Sequence, residues 1–196
     1  IKKENKNANV CILNFSDYKV PCGLFRKGDV AQEESICHAT NLYNELFHNY
    51  SWYTVHEKTV NHGMYQDESI LSENITIMRK NYEDIQSETV TIDVLTCAAP
   101  NKSPIIRYKK YLCEECDAAM IKRIDYVLNM MCYKPYDAII LGAYGCGVFH
   151  NDPELVSKTF LTLLRTKYKG VFKNVVFAIP CGYNLTVFRN TFKLKK

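Results

Sequence analysis

Two short stretches of this chain carry residue types that can do chemistry. In the first, Glu33 and Glu34 stand side by side after a loop, Ser16 to Lys27, that contains Pro21 and Gly23. Neighbouring carboxyls can donate and accept protons in general acid–base catalysis. They are also an ordinary way to begin a helix, because the helix dipole favours negative charge there by about 0.3 to 1 kcal/mol. In the second, three glycines fall within the six residues Gly142-Ala143-Tyr144-Gly145-Cys146-Gly147. Such a backbone can approach a ligand closely and aim N–H groups at a phosphate, or it can simply turn. It is neither a Walker A loop, since no Gly-Lys-Ser/Thr follows, nor a GxGxxG fingerprint.

Other reactive groups are less well assembled. Cys146 could pair with His150 or His38 as a thiol nucleophile, but His150 shares its turn and no third group stands by to orient the base. Cys113-Glu114-Glu115-Cys116 is half of a four-ligand zinc site without its second half, and His48, His56 and His62 are not spaced as metal ligands. The chemistry therefore calls for no metal and no cofactor.

The elements that must position these groups follow from periodicity. Val10 to Phe15, Thr89 to Thr96, Ala138 to Leu141 and Val175 to Ile179 are apolar or β-branched runs bounded by polar or turn residues, and they read as strands. Asp29, with Gln32 three residues on, has capping-box spacing. A stripe of Ile36, Ala39, Tyr43, Leu46 and Phe47 then predicts one helix down to His48. Leu112 to Met131 predicts a long amphipathic helix ended at Pro135. Asp152-Pro153 caps another, and a short helix is expected from Thr186 to Phe192. Alternating strands and helices predict an α/β fold of three layers, α/β/α, around a mostly parallel mixed sheet. The segment 49–87 is polar, aromatic-rich and aperiodic, with a strand signal at Asn74 to Arg79, and reads as an insertion.

Composition narrows the class. A chain of 196 residues, 47% hydrophobic, reads as one globular domain, 1–196. A net charge of +4 is too small to imply a nucleic-acid face by itself. No run approaches the roughly 18 to 20 apolar residues that span a bilayer, so no membrane partner is expected. Nine scattered cysteines, several in apolar runs, fit a reducing compartment, cytoplasmic or nuclear. The start at Ile1 without Met reads as a cut end.

Taken together and in order, Val30-Ala31-Gln32-Glu33-Glu34, Ala98-Ala99-Pro100-Asn101 and Leu141 through Pro153 resemble the microbial-type poly(ADP-ribose) glycohydrolases, over a span from Val10 to Phe192. The resemblance implies a macrodomain core that binds ADP-ribose and cleaves ribose–ribose bonds without a metal. It makes Glu34 the catalytic acid/base and Glu33 the neighbour that holds the ribose hydroxyls, with Gln32 ordering the loop. Gly142, Ala143, Tyr144, Gly145, Cys146, Gly147 and Val148 would wrap the diphosphate, Phe149 would pack on the ribose, and Asn151 would fix the turn. The family's three glycines before this motif are matched by Cys22, Gly23 and Leu24, so only Gly23 is kept. That departure bears on how closely the loop meets ribose and diphosphate. The resemblance also implies an N-terminal region of the family, which reads as missing or trimmed before Ile1. Implied partners are ADP-ribose, poly(ADP-ribose), or ADP-ribosylated protein or nucleic acid, and the expected state is a monomer. A hydrolase of single ADP-ribose groups and a reader without turnover are the competing functional classes.

Overall fold

A computed structural model describes residues 7–56, 58–79 and 84–193. Five strands form one sheet: β1 (Val10–Phe15), β2 (Ile70–Arg79), β3 (Ile85–Cys97), β4 (Ala138–Leu141) and β5 (Val175–Phe177). Their order is β2-β3-β1-β4-β5, and only the β2–β3 pair is antiparallel. β1 is central, with Cys11 opposite both Asp93 and Ile139. Because side chains alternate across a strand, β1 feeds two cores. Cys11 and Leu13 face α5 (Cys113–Met130), α6 (Pro153–Arg165) and α7 (Tyr183–Phe192), where Met120, Ile124, Phe160 and Phe188 are buried. Val10 faces α1 (Gln32–Ala39), α2 (Leu42–His48) and α3 (Tyr50–His56), which bury Cys37, Leu42, Leu46 and Tyr53. The result is the three-layer α/β/α arrangement with a mostly parallel mixed sheet.

The parallel strands all deliver their carboxyl ends to one rim, and the loops after β1, β3 and β4 gather there. That rim is where ligands sit in open α/β sheets. α6 begins as expected, with Asp152 Oδ1 accepting from Glu154 N at 2.9 Å and Pro153 in the first turn.

Three local readings are corrected. The helix expected from Asp29 to His48 is two helices, because Thr40 forms a β-bridge to Ile77 and Asn41 exchanges hydrogen bonds with Thr76. Short polar side chains that bond to nearby backbone compete with helix propagation. The capping box does not form: Ala31 is the N-cap, and the Asp29 carboxylate accepts from Val30 N instead. The segment 49–87 holds α3 and all of β2, which starts at Ile70 and pairs with β3. A further six-residue helix, α4 (Ser103–Tyr108), is too short for a periodic stripe to reveal.

Arg123, 2% exposed, ties the loop after β3 to the segment before β2. It donates to Asp67 Oδ1 at 2.6 Å, to Met64 O at 3.2 Å and to Ala98 O. All nine cysteines are free. Among the described residues, no helix is long and apolar enough to cross a membrane.

Candidate active site

β1 outruns its neighbour β4, whose pairing with it stops at Ile12 opposite Ile140. The backbone groups beyond that point need partners, and Gln32 supplies them. Its Oε1 accepts from Phe15 N and its Nε2 donates to Leu13 O, both at 2.8 Å. The first turn of α1 is thereby stitched to the end of β1, and Glu33 and Glu34 turn inward, 3% and 6% exposed.

Glu33 Oε1 accepts from Asn14 Nδ2 at 3.0 Å and Oε2 from Asp17 N at 2.7 Å. Burial raises its pKa from the ordinary 4.5 to about 8, against the pull of those two donors and with the help of the nearby Asp17 and Glu34 carboxylates. At neutral pH it keeps a proton. Asn14 Oδ1 is buried without a partner. A half-turn of that amide exchanges its nitrogen and oxygen and gives the proton an acceptor.

Between about pH 4.5 and 8 the folded protein thus holds a proton that an unfolded chain has already lost, so stability should fall as pH rises through that window. Glu33→Gln can use the same turned amide and removes the titration. Thermal unfolding of the variant should lose little between pH 5 and pH 8.5. Wild type should lose on the order of 4 kcal/mol more. Parallel pH curves for the two proteins would refute the assignment.

Glu34 Oε1 accepts from Leu24 N at 2.9 Å. The loop that presents Leu24 is set by Asp17, whose Oδ1 accepts from Lys19 N and Val20 N at 2.7 and 2.9 Å. Gly23 has φ +55°, and a Cβ on it would lie 2.4 Å from Glu34 Oε1. Cys22, fully buried, also holds a left-handed conformation, with φ 62°.

The glycine-rich loop comes to the same place. A cavity of about 310 Å³ is lined by Gly23, Gln32, Glu33 and Glu34 on one side and by Ala143, Gly145, Gly147, Val148 and Phe149 on the other. Phe15, Asp17, Leu24, Asp29, Ala31 and Ala99 complete the lining; Leu24, Ala31 and Ala99 entered only with the family motifs and Asp29 only as a cap, and Phe15 and Asp17 were not expected at the site from sequence. Neither was Asn14, which stands inside an apolar strand run. Its one signal is a polar residue where the alternation expects an apolar one.

Four of the expected residues do not line the cavity. Gly142 packs Phe15 and Ala178, where a Cβ would stand 2.9 and 3.0 Å from their atoms. Tyr144 is fully buried and donates to Cys97 O at 2.9 Å, so its ring supports the loop from beneath. Asn151, 2% exposed, donates to Pro100 O at 2.7 Å and Gly145 O at 3.0 Å and clamps the turn. Cys146 Sγ is directed at Tyr144 O, 3.5 Å away, and burial raises its pKa to about 12. A thiol so protonated is a poor nucleophile. His150 is exposed, its Nδ1 3.0 Å from Gly147 O. No group of three His, Cys, Asp or Glu side chains among the described residues is placed to hold a metal.

A larger opening of about 570 Å³ lies between α1 and the sheet. Its lining has no carboxyl, imidazole or thiol, so it offers no proton-transfer chemistry.

Residues 1–80 match the family model described as the microbial-type PARG catalytic domain, PARG being poly(ADP-ribose) glycohydrolase. PARG from Deinococcus radiodurans in complex with ADP-ribose superposes with a TM-score of 0.90 at 29% identity, covering 98% of this chain and 78% of that one. PARG from Thermomonospora curvata superposes with a TM-score of 0.88 at 31% identity, covering 95% and 69%. Its complex with the inhibitor ADP-HPD gives 0.87 at 30% identity, covering 94% and 71%. No curated protein matches. The similarity runs over nearly the whole chain, and the chain belongs to the microbial-type poly(ADP-ribose) glycohydrolase family, with its macrodomain-like fold.

Proposed function

We propose that the protein hydrolyses the ribose–ribose O-glycosidic bonds of poly(ADP-ribose) and releases ADP-ribose. One juxtaposition supports the reading: Glu33 and Glu34 line the same cavity as Gly145, Gly147 and Phe149. Relatives that share the fold were crystallised with ADP-ribose and with ADP-HPD.

In this reading the diphosphate lies along the backbone of Gly142 to Gly147, propped from below by Tyr144 and Asn151, while Phe149 packs on the ribose. Glu33, neutral near pH 7, holds the ribose hydroxyls. Glu34 gives its proton to the leaving ribose oxygen as the glycosidic bond breaks through an oxocarbenium-like state. It then takes a proton from the attacking water, one carboxyl serving in both steps. A reader of ADP-ribose needs no buried acid pair, and this favours turnover.

Leu24, 46% exposed, lines the cavity at the position of the family's third glycine and favours a second arm for substrates bearing a single ADP-ribose. Incubation with poly(ADP-ribose) should yield free ADP-ribose, more slowly if only mono-modified protein is offered. Tight ADP-ribose binding in calorimetry without any product from either substrate would make the protein a reader instead.

A further inference from the structure

Beside the cavity rim lies a surface that the glycohydrolase reading leaves unused. The residue before α4 and the first residue of α4 are hydrogen-bonded to the rim: Lys102 N donates to Phe149 O at 2.9 Å and Ser103 Oγ donates to Val148 O. α4 is anchored by Ile105, fully buried against Met64 and Cys116. Its outer side and the turn after it read Ile106-Arg107-Tyr108-Lys109-Lys110-Tyr111. Tyr108 and Tyr111 are 71% and 80% exposed, and Arg107 Cζ sits 5.3 Å from the Tyr108 ring centroid. Lys109 Nζ lies 2.7 Å from His62 Nδ1.

Among the described residues no carboxylate forms an ion pair with Arg107, Lys109 or Lys110, whereas Lys102 is held by Asp117. Glu114 and Glu115 follow in the first turn of α5. Exposed tyrosines interleaved with cations are the pattern that binds a flexible polyanion whose bases can stack. At about 1.5 Å per helical residue, Tyr108 stands roughly 8 Å along the helix from the Ser103 contact with the rim. Val148, itself 78% exposed, joins the cavity rim to this surface through its contact with Ser103.

We propose that residues 106–111 form a second subsite, for the ADP-ribose unit next to the one in the cavity. Its adenine stacks on Tyr108, and its pyrophosphate lies between Arg107 and Lys110. The inference rests on the glycohydrolase reading for its ligand and adds the part of the polymer beyond the scissile bond. Such a subsite would make the protein prefer polymer over single units without touching the chemistry.

The test uses Tyr108→Ala and the double variant Arg107→Ala/Lys110→Ala, all at exposed positions. KM for long poly(ADP-ribose) should rise by about tenfold in each, as loss of one stacked base or two phosphate contacts implies. kcat and the calorimetric Kd for free ADP-ribose should stay unchanged. An unaltered polymer KM, or a parallel loss of ADP-ribose affinity, would overturn the subsite. If wild type cleaves nothing, the glycohydrolase reading fails but the subsite is still decided by fluorescence anisotropy with labelled polymer. Weaker polymer binding by the variants supports it, and equal binding overturns it. Displacement of the polymer by single-stranded poly(A) RNA of the same length at equal concentration would also overturn it, by making the surface a general polyanion patch.

Discussion

Glu34→Gln should slow release of ADP-ribose from poly(ADP-ribose) by about 10² to 10⁴-fold, the usual worth of a positioned general acid–base, with ADP-ribose binding nearly intact. The substitution is close to isosteric, and the amide oxygen can still accept from Leu24 N, which now bonds to Glu34 Oε1 at 2.9 Å. An amide, however, cannot pass a proton to the leaving oxygen or take one from water. Glu33→Gln is the control. Glu33 is fixed by Asn14 and Asp17, with its proton held to about pH 8, so its loss removes a binding contact rather than the proton carrier. Initial rates on polymer, with ADP-ribose affinity measured alongside, separate the two. If the Glu34 variant turns over within about tenfold of wild type, the proton carrier lies elsewhere.

What could be read from sequence here was what depends on neighbours along the chain. β1 and β4 sit where their continuous apolar runs put them, because strands buried on both faces admit few polar residues. Asp152-Pro153 marks the start of α6 for an equally local reason, a cap and a first-turn proline acting within one turn. Gln32 shows the limit. Its spacing from Asp29 fits a capping box, yet its amide goes to Leu13 and Phe15, since the open edge at the end of β1 offers two backbone groups that nothing else satisfies. That edge exists only once the sheet has formed. Thr40 and Asn41 break the α1–α2 stripe through Thr76 and Ile77, again contacts far along the chain. At the site, the residue types that could do chemistry were visible, because the carboxyl pair and the clustered glycines, each ordinary alone, fall in the order of the family's motifs. The supports were not. Asn14 looks like a blemish in a strand, and Tyr144 looks like a loop residue able to meet a ligand although its ring is fully buried.

Gly23→Ala should lower the hydrolysis rate by about 10²-fold or more, with the fold retained, a loss as large as removing a catalytic group. Two effects coincide at this position. The backbone has φ +55°, which costs an L-residue with a side chain roughly 1 to 2 kcal/mol. The added methyl would also stand 2.4 Å from Glu34 Oε1, nearer than carbon and oxygen can rest, and 3.3 Å from Glu33 Oε2, a tight contact. Cys22 shows that the left-handed conformation alone is tolerated here, since it holds φ 62° while buried. The decisive effect is therefore steric and falls on the carboxylates. Either the loop retreats and withdraws Leu24 N from Glu34, or the Glu34 carboxyl is displaced by about 1 Å, and a misplacement of that size costs on the order of 10²-fold in rate. The variant should keep a melting temperature near that of wild type and lose its rate. Gly28, where a Cβ would meet nothing within 4 Å, serves as the comparison. Gly28→Ala takes on similar backbone strain at φ +83° without touching the acid pair, so its activity should remain close to that of wild type. Equal losses in the two variants would mean that loop strain, and not contact with Glu34, governs the rate.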